Sequence, residues 1–139
     1  MSDPHGNDVE LIRRTLYEFS LALDARRFDE WVQLFTEDGE FAGRTGVRRG
    51  RQEILANISD GELAKDPQLC RMHTIHNPLI DIAQDGRSAT SFCYLVQFDQ
   101  RGDGPVEIRL ATYTDRLVKQ DGRWLFSSRK IAPYREREL

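Results

Sequence analysis

The spacing of apolar residues changes once along this chain, close to Arg71. Before that point apolar residues recur every three or four positions, which is the period of an amphipathic helix. After it the period is two, typical of half-buried strands, over residues 73–83, 88–100, 107–119 and 123–133. Helices followed by consecutive strands predict an α+β domain with an antiparallel sheet, because a parallel α/β sheet needs helices between its strands.

The first part of the chain predicts three helices. The first begins near Val9 and ends close to Asp24, the second lies within residues 28–35, and the third starts after Gly50. The first has apolar residues at three- and four-residue steps and charged residues on its other faces. A short extended segment is expected at residues 40–42.

A change of parity within the first long strand predicts a β-bulge. His73 and Ile75 share one parity, whereas Ile80 and Ile82 share the other, so a regular strand would place the two pairs on opposite faces. Pro78 lies between them and cannot donate to a strand ladder. A bulge beside Pro78 would turn both pairs toward the core and would bend the sheet.

The length and composition of the chain predict one globular domain. It has 139 residues, of which 39% are hydrophobic and 31% are charged, and such a length forms one core rather than two. We expect residues 1–8 to be flexible and residues 9–139 to form the domain. No apolar run is long enough to cross a membrane. The N-terminus lacks the basic and apolar segments of a secretory signal, which predicts a cytoplasmic protein.

Charge and metal-binding residue types narrow the classes of partner. The net charge of −3 supplies no clearly basic face for nucleic acid. Residues 44–51 contain four arginines, which form either a solvated loop or an entrance that attracts a carboxylate or phosphate on a substrate. Cys70 and Cys93 are far apart, and no third ligand accompanies His73 and His76, so neither a metal nor another cofactor is predicted.

The order and spacing of four segments resemble a known superfamily. The segments read LALDARRFDEWVQLFTEDGEF, GRQEI, MHTIHNPLIDI and YTDRLVKQDGRWLFSSRKI. Together they look like the SnoaL-like branch of the nuclear-transport-factor-2-like superfamily, over a stretch from about Val9 to Ile131. The resemblance implies a cone-shaped fold, in which a curved antiparallel sheet wraps against the helices and leaves a central cavity.

The resemblance implies two classes of function. The branch includes bile-acid dehydratases, scytalone dehydratase and hexachlorocyclohexane dehydrochlorinase, which eliminate water or HCl from a small hydrophobic substrate without a cofactor. That implies a lyase or isomerase for a small, largely apolar cyclic or polyketide-like molecule. The non-catalytic β subunits of ring-hydroxylating dioxygenases share the fold, so a ligand-binding or assembly module stays open. Related proteins also imply a homo-oligomer, either a dimer or a trimer.

The resemblance implies a catalytic pair at Asp24 and His73. In dehydratase-like members, a carboxylate near the end of the first helix pairs with a histidine from the first long strand. Elimination needs a base, and a histidine with an ordinary pKa near 6.5 suits neutral pH. A carboxylate on its other nitrogen would orient it and stabilise the imidazolium. Two alternatives stay open: Asp24 caps the next helix, or His73 is structural.

Further residues are candidates for the wall of the pocket. They are Tyr17, Phe19, Trp31, Asn77, Tyr94, Tyr113 and Arg129. Phe19 stands where bile-acid dehydratases carry a tyrosine, which argues against steroid dehydration. Trp31 belongs either to the core or to the ligand site. Arg129 must be paired if it is buried, either with Asp115 on the neighbouring strand or with a carboxylate or carbonyl oxygen of the substrate.

Overall fold

The computed structural model of the protein describes residues 5–135, which form four helices and six strands. The helices are α1 (Gly6–Asp24), α2 (Phe28–Val32), α3 (Gly50–Ser59) and α4 (Glu62–Lys65). The strands are β1 (Phe35–Gly43), β2 (Gly46–Arg49), β3 (Leu69–Ile82), β4 (Ser88–Arg101), β5 (Glu107–Gln120) and β6 (Arg123–Pro133).

The strands form one curved sheet in the order β2-β1-β6-β5-β4-β3. All neighbours are antiparallel except β1 and β6, which run parallel. The inner face of the sheet lies against the helices, and α1 buries Ile12, Leu16 and Phe19 completely between them. The predicted α+β fold is confirmed. No helix of the described chain is both long and apolar enough to cross a membrane.

The predicted bulge in β3 is confirmed. The register with β4 shifts between His76 and Leu79, so Asn77 and Pro78 together face the single residue Cys93. Asn77 has a φ of 55°, a conformation that asparagine tolerates better than most residues. As a result, the isoleucines on both sides of the bulge pack against the core.

The N-terminal boundary of α1 corrects the sequence prediction. The helix begins at Gly6 rather than near Val9. Asp8 accepts a hydrogen bond from Trp124 Nε1 at 3.0 Å and pairs with Lys119 Nζ at 2.9 Å. Both contacts hold the pKa of Asp8 below its usual value, and the contact with Lys119 has the larger effect. Residues 6–8 are therefore helix bound to the sheet. Of the segment predicted to be flexible, residues 1–4 lie outside the described residues.

The arginine-rich segment is not a single loop: Arg44 lies in a turn, Arg48 and Arg49 lie in an edge strand, and Arg51 lies in α3. Strand β2 (Gly46–Arg49) pairs with the end of β1, and Arg49 Nε contacts Glu40 Oε1 at 2.8 Å. Strand β1 also begins earlier than the predicted extended segment. Phe35, placed at the end of a helix by its apolar spacing, instead pairs with Phe126 in the parallel ladder with β6.

Candidate active site

An apolar cavity of about 230 Å³ lies between the helices and the inner face of the sheet. Side chains on one strand alternate between the faces, so His73, Gln97 and Arg109, direct neighbours across β3, β4 and β5, share the inner face. Ile54 and Ile58 reach the cavity from α3. The other apolar wall residues are Leu23, Trp31, Phe41, Leu63, Tyr113 and Ile131.

Asp24 and His73 are in direct contact at the wall of this cavity. The carboxylate lies 2.6 Å from His73 Nδ1, and it also accepts the backbone N–H of His73, with both oxygens 3.1 Å from the nitrogen. A carboxylate can only accept, so a neutral His73 carries its proton on Nδ1 and keeps a lone pair on Nε2. His73 is 9% exposed and lines the cavity. Its Nε2 has no hydrogen-bond partner among residues 5–135.

The helix-capping alternative for Asp24 does not hold. Helix α2 begins after Arg27, and no side chain caps it. The carboxylate of Asp24 instead points to β3, where it meets both the ring and the backbone of His73.

Arg26, which the sequence analysis missed, fixes the end of α1 against β3. It adopts a φ of 58°, in the left-handed region that ends the helix. Its side chain donates to the carbonyl oxygen of Leu63 at 2.9 Å and to that of Leu69 at the start of β3. Arg26 therefore holds Asp24 close to β3, and the pattern of apolar residues gave no sign of this contact.

Two of the further predicted wall residues do line the cavity. Tyr113 is 1% exposed, and its hydroxyl has no hydrogen-bond partner in the described structure. Burial raises the pKa of Tyr113, so the phenol stays protonated at neutral pH. Trp31 also lines the cavity, and its buried Nε1 has no partner within the described chain. A buried N–H without an acceptor costs free energy.

Four predicted wall residues lie elsewhere. Tyr17 is 47% exposed on the outer side of α1. Phe19 is fully buried among aromatic rings, 5.3 Å from the ring of Trp31 and outside the cavity wall. Asn77 is exposed in the bulge. Tyr94 lies on the outer face of β4, because the buried residues of that strand have the opposite parity.

Arg129 is a structural residue behind the wall rather than part of it. It is 1% exposed, and its Nε lies 3.0 Å from Asp115 Oδ1, although the N–H is not aligned for a hydrogen bond. Its guanidinium stacks 3.5 Å from the ring centre of Tyr113 and 4.2 Å from that of Phe19. The Asp115 partner expected from the sequence is thus the observed one, and Arg129 is not among the residues that line the cavity.

The mouth of the cavity carries a polar network that the sequence analysis did not identify. Arg71 donates two hydrogen bonds to Asp99, at 2.7 and 2.8 Å, and a third to Glu62 at 2.6 Å. The side-chain amide of Gln97 donates to the same Asp99 carboxylate at 3.2 Å. In residues 5–135 no group of three or more His, Cys, Asp or Glu side chains has the arrangement of a metal site.

Comparison with family models matches residues 5–130 to the SnoaL-like domain. The chain belongs to this family. No curated protein matches the SnoaL-like chain in a sequence comparison. The family resemblance inferred from the sequence is therefore confirmed at the level of the domain.

Solved structures agree with the SnoaL-like assignment. ActVI-ORFA from Streptomyces coelicolor is 26% identical, with a TM-score of 0.81, over 91% of this chain and 97% of that one. A proposed scytalone dehydratase from Novosphingobium aromaticivorans is 22% identical, with a TM-score of 0.84, over 97% and 89%. An NTF2-like protein with a cystatin-like fold from the same organism is 22% identical, with a TM-score of 0.80, over 94% and 84%. The last two show the shared fold alone.

Proposed function

We propose that the protein is a cofactor-independent lyase, of the dehydratase type, or an isomerase that acts on a small, largely apolar cyclic or polyketide-like molecule. The observation that carries this proposal is the 2.6 Å contact between Asp24 and His73 at the wall of an apolar cavity. Such a pair supports proton transfer without a metal or a covalent intermediate. The cavity volume of about 230 Å³ suits a molecule of one or two rings.

The chemistry begins with proton abstraction from a carbon next to a carbonyl group. His73 Nε2 takes the proton, and Asp24 stabilises the imidazolium that forms. In a dehydration, a hydroxyl on the next carbon then leaves, and the imidazolium returns the proton to it as water departs. In an isomerisation the proton returns to a different carbon. The phenol of Tyr113 supplies a donor for the carbonyl oxygen, where negative charge develops.

The competing function is a binding or assembly module without catalysis. That function predicts either that Asp24 and His73 are out of reach of each other or that aromatic side chains fill the cavity. The rings of Phe19, Trp31 and Phe35 pack closely together, yet the cavity beside them stays open. The name of the structural neighbour described as a scytalone dehydratase is in keeping with the lyase, although that neighbour shares only the fold.

We also propose that the protein is a cytoplasmic homo-oligomer, either a dimer or a trimer. The outer face of the sheet exposes several large apolar side chains, among them Leu79, Ile108 and Leu110 at 64%, 60% and 56%. An exposed apolar surface of this kind is typical of a protein interface. Sedimentation analysis of the purified protein tests the proposal, and a monomer at micromolar concentration would contradict it.

Two bicyclic ketones test the catalytic proposal. 3-Hydroxy-1-tetralone loses water to give 1-naphthol, which is followed by fluorescence. In D₂O, 1-tetralone exchanges the protons next to its carbonyl, which is followed by NMR and needs no leaving group. We expect the wild type to accelerate both reactions and His73→Ala to lose about 10²–10⁴-fold in rate. Asp24→Asn should lose less, because His73 itself is retained.

His76→Ala is the matched control, since His76 lies three residues along β3 and is exposed. It should react at the wild-type rate. Thermal unfolding of each variant shows that the fold is intact. Equal rates for the wild type and His73→Ala would refute the catalytic role of His73. A wild type that binds both ketones and accelerates neither reaction would favour the binding module.

A further inference from the structure

Three arginines converge on the mouth of the cavity from distant parts of the chain. Arg44 lies in the turn between β1 and β2, Arg71 lies on β3, and Arg109 lies on β5. Strand β6 ends opposite Ala111. Arg109 lies on β5 beyond that point, so no residue of β6 pairs with it. Only one carboxylate residue, Glu62, lines the cavity with them in the described structure.

Arg71 is already neutralised, whereas the other two arginines are not. Arg71 holds both oxygens of Asp99 and one oxygen of Glu62, whose second oxygen is bound by Arg101. Arg101 in turn pairs with Asp66. By contrast, Arg44 and Arg109 make no hydrogen bond or ion pair within residues 5–135.

The positive charges at the mouth act on one another. Desolvation lowers the pKa of Arg44, and the charges of Arg109 and Arg71 lower it further. Arginine still stays protonated at neutral pH, so the mouth brings like charges into proximity, which costs free energy. An anion placed between Arg44 and Arg109 would offset that cost.

We infer that the cavity takes a molecule with an apolar ring body and a carboxylate, and that Arg44 and Arg109 bind the carboxylate at the mouth. The inference rests on the proposed function only in placing the ring body beside His73. Arg44 and Arg109 have no carboxylate partner within residues 5–135, so each can bind one oxygen of a carboxylate. The planar guanidinium group also matches the geometry of a carboxylate.

Binding of matched naphthalene compounds tests the inference. The probes are 2-naphthoate, the neutral 2-naphthamide and 2-naphthyl phosphate, measured by isothermal titration calorimetry. We expect the wild type to bind 2-naphthoate about tenfold or more tightly than 2-naphthamide, and added salt should weaken only the charged probes. Arg44→Gln and Arg109→Gln should each weaken 2-naphthoate about tenfold and leave 2-naphthamide unchanged.

Arg87→Gln is the control variant, because Arg87 is an exposed arginine in the turn at the other end of β3 and β4. It should bind all three probes like the wild type. Arg44 and Arg109 are themselves exposed, so their variants should fold normally, and thermal unfolding checks this. Equal affinity for 2-naphthoate and 2-naphthamide, or no binding of either at millimolar concentration, would overturn the inference. Tighter binding of the phosphate would overturn the assignment to a carboxylate.

The binding test is separate from the catalytic test. In His73→Ala, which keeps Arg44 and Arg109 at the mouth, the preference for 2-naphthoate over 2-naphthamide should persist. If the two tetralones react but 2-naphthoate has no advantage over 2-naphthamide, the carboxylate site is wrong and the catalytic proposal stands. If 2-naphthoate is preferred but neither tetralone reacts, the carboxylate site stands without the catalytic proposal.

Discussion

Two buried arginine–aspartate pairs occupy opposite ends of the same inner face. Arg71 and Asp99 are cross-strand neighbours at the mouth of the cavity, and Arg129 and Asp115 are cross-strand neighbours in the core. Asp99 receives two aligned hydrogen bonds from Arg71 and further ones from Gln97. Asp115 has a single close contact with Arg129, at 3.0 Å and not aligned as a hydrogen bond.

The ionisation of the two carboxyl groups shifts in opposite directions. Burial alone would raise the pKa of Asp99, but the hydrogen bonds and charge of Arg71, with Gln97, lower it overall. Burial raises the pKa of Asp115, and Arg129 and Ser91 offset only part of that effect. The same pair of residue types therefore favours the charged state where hydrogen bonds are numerous and disfavours it where desolvation dominates.

Removing Arg129 should have the largest effect on stability. Arg129→Met leaves the buried Asp115 with the hydroxyl of Ser91 but without a cationic partner, and it removes the contacts of the guanidinium with three aromatic rings. We expect a loss of about 3–5 kcal/mol in the free energy of unfolding, measured with urea. The double variant Arg129→Met/Asp115→Leu should regain most of that loss, because no uncompensated charge remains. A single variant as stable as the wild type would contradict the difference between the two pairs.

Removing Arg71 should cost less, because its side chain is 11% exposed whereas that of Arg129 is fully buried. In Arg71→Met, Asp99 retains the amide of Gln97, and the mouth of the cavity admits water. We expect a loss of about 2 kcal/mol in the free energy of unfolding. Arg101→Met is the control at the same rim, and its 41% exposed side chain should matter little. A larger loss than for Arg129→Met would reverse the proposed order.

The pH dependence of stability should also distinguish the two carboxyl groups, with a smaller effect than the two arginine substitutions. The pKa of Asp99 is lowered by folding, so its contribution to stability is complete above its ordinary value near 3.9 and is lost as the pH falls through the lower folded value. The pKa of Asp115 is raised, so its contribution is complete below 3.9 and is lost as the pH rises through the higher folded value.

Urea unfolding between pH 2.5 and 7 checks these signs. As the pH falls, the stability of the wild type relative to Asp99→Asn should decrease. Over the same range, the stability of the wild type relative to Asp115→Asn should increase. Parallel pH curves for all three proteins would show that neither ionisation is coupled to folding.

The periodicity of the sequence predicted strands β3 to β6 because they are long and half-buried. It also predicted the bulge, since Pro78 cannot donate to the ladder and the isoleucines change parity across it. It failed at β2, whose arginines show no alternation between apolar and polar residues. The contact of Asp24 with His73 came from the family resemblance, because periodicity does not place two residues 49 positions apart side by side.

The inner face of β4 shows why the cavity wall was harder to predict. The outward residues Phe92, Tyr94 and Val96 are more apolar than the inward residues Gln97 and Asp99. Alternation therefore did not reveal which side lines the cavity. The inward polar residues are satisfied by a network that spans strands distant in the chain, and such partners are visible only once the strands are paired.

Tyr113 lies between the buried Arg129–Asp115 pair and the cavity. Its substitution should change stability least. Its ring stacks on Arg129, whereas its hydroxyl has no partner within the described residues. Tyr113→Phe keeps the cation–π contact, so we expect a change of about 0.5 kcal/mol or less in the free energy of unfolding. If the hydroxyl donates to the substrate carbonyl, the same variant should slow proton exchange of 1-tetralone by about tenfold or more. A large loss of stability would instead mean that the hydroxyl of Tyr113 stabilises the core together with Arg129, and it would argue against a role of this hydroxyl in the reaction.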